Sequence, residues 1–180
     1  MDLDALYALD AADQRVFLLG RLADETTSVD AALRWLHAAL NGERSVTAFR
    51  DAPAGFQRCA EACSAKVNTS SRLTQEQRAH VSRTISDARA AYKRRNRYTH
   101  DLLVEDLLSV NGWELMRLDR FGPDFTSTSA AEMVALVVEL VALKYRLRGA
   151  ALYLLQGRWE AWAFGAVEGS WDGSAGVSGP

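Results

Sequence analysis

The chain has 180 residues, 48% of them hydrophobic and 24% charged, with 21 basic against 23 acidic side chains. That hydrophobicity, with a formal charge of −2, excludes disorder over most of the length and a generic polycation for nucleic acid. Two cysteines exclude a disulfide scaffold, and three prolines with few β-branched runs favour helices.

The opening Met1-Asp2-Leu3-Asp4 is acidic and lacks the basic and apolar regions of a signal peptide. The most apolar stretch, Ala130 to Leu143, is interrupted by Glu132 and Glu139 and falls short of the about 20 apolar residues that cross a bilayer. The expectation is a cytoplasmic protein with no membrane partner, a single α-helical domain over 1–168, and a disordered Gly/Ser-rich tail over 169–180 that carries Trp171.

A first long helix is predicted from near Asp10 to the stop at Asn41-Gly42. Leu18, Leu22, Val29, Leu33, Leu36 and Leu40 form its apolar stripe, and Glu25 falls in the gap where an apolar residue is due. Pro53 precedes a second helix over roughly Ala54 to Val67. Cys59 and Cys63 share a face of it; with no histidine nearby in sequence they read as core thiols, and no metal site is expected. His37 and His80 read as surface or satisfied core residues.

Thr74 with Gln77 is a capping-box signature for a third helix that runs to about Leu103. Its inner stripe is Val81, Ile85, Ala88 and Tyr92, with Arg95 and Thr99 in the same register. Between Asn111 and Thr128 the pattern becomes that of a small β-hairpin. Ser129 with Glu132 is a second capping box, opening a helix whose apolar face includes Met133, Val137, Leu140, Leu147, Ala151 and Leu154. Val134, Val138 and Val141 widen that face, as on a helix covered by several neighbours or by a second subunit. Trp159, Trp162 and Phe164 beyond it read as core or interface. Four helices with short connections predict an all-α, antiparallel four-helix bundle with a small β-hairpin insertion near 111–128.

Charge is segregated within this near-neutral chain. Arg83 to Arg97 holds six basic residues and one acid, a local charge of +5, while the first thirty residues carry −5. A local positive field recruits phosphate even on an acidic protein. Arg95 sits where the inner stripe calls for an apolar residue, and Asn96 and His100 lie one turn apart on a flank of that face. A buried guanidinium needs a partner or solvent. Glu25, the polar break in the first helix, is the expected supporting acid, with Asp24 second.

The run Arg95-Asn96-Arg97-Tyr98-Thr99-His100 resembles the R-N-x-x-x-H form of the motif of the HEPN superfamily. The resemblance covers these six residues and the all-helical setting. It implies a compact helical bundle of HEPN type that dimerises, and in many members a metal-independent endoribonuclease without cofactor, acting in toxin–antitoxin or defence systems. Arg95, Asn96 and His100 are then the catalytic residues. RNA supplies its own nucleophile, the 2′-OH. An imidazole, with an ordinary pKa of about 6.5, suits both a general base and an acid toward the leaving 5′-oxygen. Arg95 holds the scissile phosphate. Asn96 orients His100 or a phosphate oxygen. Lys93, Arg94 and Arg97 are the expected RNA-binding residues, and Tyr98 is expected to pack rather than to stack on a base. The implied partners are RNA, a second copy of the chain, and an antitoxin or defence protein. Leu102 stands where some HEPN toxins carry a tyrosine modified by their antitoxin, so that mode of control is not expected. The alternative is a catalytically silent HEPN-like or plain helical module that dimerises and binds a protein or nucleotide partner.

Overall fold

A computed structural model describes residues 3–105, 113–119 and 122–157. The expected tail over 169–180 and the aromatic residues Trp159, Trp162, Phe164 and Trp171 lie outside them. The protein is mostly helical. In chain order the elements are α1 (Leu3–Tyr7), α2 (Ala11–Leu40), α3 (Val46–Arg50), α4 (Phe56–Thr69), α5 (Gln75–His100), β1 (Leu102–Glu105), β2 (Trp113–Asp119), β3 (Gly122–Thr128) and α6 (Ala130–Gln156).

Local chemistry sets the helix ends. The Asp10 side chain accepts from the Asp13 amide at 2.8 Å and starts α2. Both expected capping boxes form, Thr74 with Gln77 on α5 and Ser129 with Glu132 on α6. Gly157, left-handed at φ 70°, ends α6. The second helix starts later than Pro53 suggests: Gly55 takes φ 82° and cannot belong to a right-handed helix, so α4 begins at Phe56. The short α3, capped by Ser45, was not legible in the apolar pattern.

Two further departures follow from the segment after α5. The helix ends at His100, not near Leu103, because Asp101 turns extended (φ −84°, ψ 147°) and residues 102–105 pair with β2. The expected hairpin is therefore two strands of a three-stranded antiparallel sheet in the order β1-β2-β3. This meander lies between α5 and α6. Trp113 and Leu115 alternate with Glu114 and Met116 and send the inner face into the core. Asp101 pins the junction: its side chain, 4% exposed, accepts from Arg117 of β2 at 3.0 Å.

The core joins α2, α4, α5 and α6. Leu18, Leu22, Val29, Leu33 and Leu36 of α2 are fully buried, as are Met133, Leu140 and Leu147 of α6. Each contributes about 2–3 kcal/mol through removal from water. The antiparallel relation holds for α4 with α5, through Gln57 to Arg89 and Asn68 to Ser82, and for α5 with α6, through Tyr98 to Thr128 and Arg94 to Glu139. It does not hold for α2 and α6. Glu25 meets Lys144, and Arg44, just past α2, meets Leu155 near the end of α6, so these two helices run the same way. Short loops force antiparallel neighbours; the connection between α2 and α4 spans residues 41–55, contains α3, and is long enough to release that constraint.

Candidate functional site

The expected motif occupies the last turns of α5. Arg95 continues the buried line of Ile85, Ala88 and Ala91 but is only half-buried. Covering explains the difference. Phe56, the first residue of α4, stacks on Tyr92 with centroids 4.1 Å apart and an interplanar angle of 6°. Beyond that ring α4 no longer covers α5, and a guanidinium becomes tolerable where alanine was required two turns earlier.

Arg95 is held by its neighbours. Its guanidinium carbon lies 5.6 Å from the Tyr92 centroid, in cation–π contact, and its Nη1 donates to Asn96 Oδ1 at 3.2 Å. Its Nε is buried and makes no hydrogen bond among the described residues. No carboxylate among those residues pairs with it. The neighbouring cations are differently placed. Arg94 bonds Glu139, Arg97 lies 3.8 Å from Asp101, and Arg89 lies 3.8 Å from Glu61. Lys93 is exposed and, like Arg95, has no acid partner among the described residues. Three of the six cations of this run thus lie beside a carboxylate, and Arg83, Lys93 and Arg95 are what remain for an external anion.

His100 closes α5 and is exposed. At about 100° per residue, the five steps from Arg95 to His100 leave the two about 140° apart around the helix axis. Arg95 therefore points along the core stripe and His100 along an outer flank, with Asn96 about 40° from His100. One copy of α5 cannot bring both groups to one phosphate through backbone geometry alone.

Two concavities border the motif. A groove of about 480 Å³ between the start of α4 and the flank of α5 is lined by Gln57, Ser86, Arg89, Tyr92, Lys93 and Asn96, among others. A smaller one, about 180 Å³, takes in Arg94, Arg97 and Tyr98 with residues of β2 and α6. The predicted RNA-binding residues are thus split: Lys93 faces the groove, whereas Arg94 and Arg97 are tied to carboxylates on the other side. Arg89, which the sequence reading left out, belongs with Lys93 one turn before it. Tyr98 packs against the core and bonds Thr128 at 2.9 Å.

The expected Glu25–Arg95 pairing is not formed. Glu25 is 3% exposed, and its two oxygens accept from Arg21 at 2.7 Å and Lys144 at 2.6 Å. Its partner across the bundle is α6, because α2 packs most closely on α6 and not on the end of α5. Asp24 is exposed and lies 3.5 Å from Arg21. The two register breaks in the sequence were real, but each is solved separately.

Cys59 and Cys63 are buried core thiols, with Cys63 Sγ 3.6 Å from the Leu33 carbonyl. The Cys59 neighbour and burial together push the Cys63 thiol up, out of the range where it ionises. His37 is buried, its Nδ1 without a partner among the described residues, and burial with Lys66 nearby lowers its pKa. No three His, Cys, Asp or Glu side chains gather among the described residues. None of the helices among those residues is long and apolar enough to cross a membrane. Comparison of the chain with protein family models, with curated proteins and with solved structures finds no match.

Proposed function

We propose that the protein is an endoribonuclease of HEPN type, and that its site is completed by a second copy of the chain. The observation that carries this reading is Arg95: a half-buried guanidinium, in cation–π contact with Tyr92 and steadied by Asn96, with no carboxylate among the described residues to neutralise it. Such a group is a fixed cation awaiting an anion, and phosphate matches its planar donors. His100 lies one turn from Asn96 and is open to solvent, where a substrate hydroxyl reaches it.

In the reaction the 2′-oxygen attacks the adjacent phosphorus and the bond to the 5′-oxygen breaks. His100 takes the 2′-OH proton or delivers one to the departing 5′-oxygen, and Arg95 neutralises the charge gathering on the phosphoryl oxygens. The products are a 2′,3′-cyclic phosphate and a 5′-hydroxyl. Because Arg95 and His100 diverge on one helix, the working pair is Arg95 of one subunit with His100 of the other. A second subunit is supported by the outer face of α6, where Val138, Tyr145 and Leu152 are 58%, 48% and 39% exposed at seven-residue steps. Involvement in toxin–antitoxin or defence biology follows only from the motif resemblance.

Purified protein is incubated with mixed single-stranded RNAs in EDTA, beside Arg95→Ala and His100→Ala. Cleavage by the parent protein alone, leaving cyclic phosphate ends, is the expected result. Equal cleavage by all three, or none by any, removes the assignment. The second reading, a silent dimerisation module, is favoured by the exposure of His100, and it predicts no cleavage with an intact dimer.

A further inference from the structure

The groove beside α4 carries two cations, Arg89 and Lys93, that the catalytic motif does not use. Arg89, Lys93, Asn96 and His100 follow at steps of four, three and four, so they share one face of α5 over about 16 Å. The groove therefore leads along the helix to His100. Lys93 is exposed and without an acid among the described residues. The carboxylate nearest Arg89, that of Glu61, is 3.8 Å away and 58% exposed, an ion pair of the kind that exchanges for another anion at small cost. Asn96 has its oxygen engaged by Arg95, which leaves its amide nitrogen as a donor. Ser86 adds a hydroxyl.

Aromatic contact in this groove is already taken. Phe56 stacks on Tyr92 at 4.1 Å, and the Arg95 guanidinium carbon lies over the same ring at 5.6 Å. Phe56 itself is buried. With the Tyr92 ring already engaged by both groups, base stacking contributes little to binding here.

We propose that the groove binds the sugar–phosphate backbone of single-stranded RNA, on Arg89 and Lys93, without reading base identity. It rests on the ribonuclease reading for the choice of ligand, but it is tested without cleavage. Fluorescence anisotropy of the full chain is measured with labelled oligodeoxyuridine and oligodeoxyadenosine, which lack the 2′-OH and cannot be cut. The parent protein binds both alike. Arg89→Gln with Lys93→Gln weakens binding about tenfold at about 0.1 M salt and lowers the log–log salt slope by about 1.4, the value for two lost phosphate contacts on a single strand. Arg50→Gln with Arg148→Gln removes the same charge away from the groove and changes affinity less than about twofold. Unchanged binding by the groove variant overturns the proposal, as does absence of binding by the parent. Preference for one base, or displacement by a poly-glutamate peptide of equal charge, also overturns it. Binding with no RNA cleavage sinks the ribonuclease reading alone; cleavage with no groove-dependent binding sinks this proposal alone.

Discussion

Glu25 offers the clearest test of the energetics. Its side chain is 4% exposed and sits between Arg21 and Lys144, whose own side chains are 37% and 13% exposed. Glu25→Gln keeps the shape and removes the charge, so Lys144 is left with an amide where it had a carboxylate 2.6 Å away. Breaking a buried pair from one side costs about 3–5 kcal/mol. The residual exposure of Lys144, and the ability of Arg21 to lean on Asp24, place this case near 3 kcal/mol. At about 2–4 °C per kcal/mol for a chain of this size, Tm falls by roughly 6–12 °C. The companion variant, Glu25→Leu with Lys144→Met, removes both charges together and recovers most of that loss. Urea unfolding followed by circular dichroism measures each. A Glu25→Gln protein within about 0.5 kcal/mol of the parent, or a double variant as unstable as the single one, refutes the reasoning.

The His37 pKa is lowered in the fold, so the unfolded chain binds its proton first; stability is full above the ordinary value of 6.5, declines as pH falls below it, and levels off once the folded state also protonates. His37→Gln abolishes that slope in denaturation curves taken across pH 4–8, a range of about two units on either side of the ordinary imidazole value. Cys59 and Cys63, both fully buried, react with a thiol reagent only after denaturant is added; fast labelling of the native protein contradicts the packing. Arg95→Lys keeps the charge but loses the planar donors and the stacking on Tyr92, so cleavage falls at least about tenfold while unfolding free energy moves by less than about 0.5 kcal/mol. Rescue of full activity by lysine argues against a fork-like phosphate contact.

Much of the fold was legible because local signals agreed with tertiary demands. The apolar spacing of α2 named Leu18, Leu22, Val29, Leu33 and Leu36, which are buried, though Leu40 is only half-buried, and two capping boxes gave helix starts to the residue. What failed was relational. Leu102 and Leu103 read as a helix end because the pairing of residues 102–105 with residues 113–116 is long-range and leaves little trace in four residues. The direction of α2 relative to α6 depends on a 15-residue connection whose path no periodicity encodes. In the same way Glu25 and Arg95 were each visible as polar breaks in apolar stripes, but which break faces which is set by helix packing. The groove could be half seen, since Arg89 stands four residues before Lys93. Its other wall, Gln57 in the first turn of α4, could not.

The proposed ribonuclease activity requires Arg95 and His100 of different subunits to act on the same phosphate. Arg95→Ala and His100→Ala proteins are therefore mixed, allowed to exchange subunits, and assayed for cleavage of single-stranded RNA in EDTA. Each is inactive alone, and the mixture recovers roughly a quarter of the parent rate, since half the pairs carry one intact site. A mixture that has demonstrably exchanged subunits and still cuts no RNA contradicts the claim.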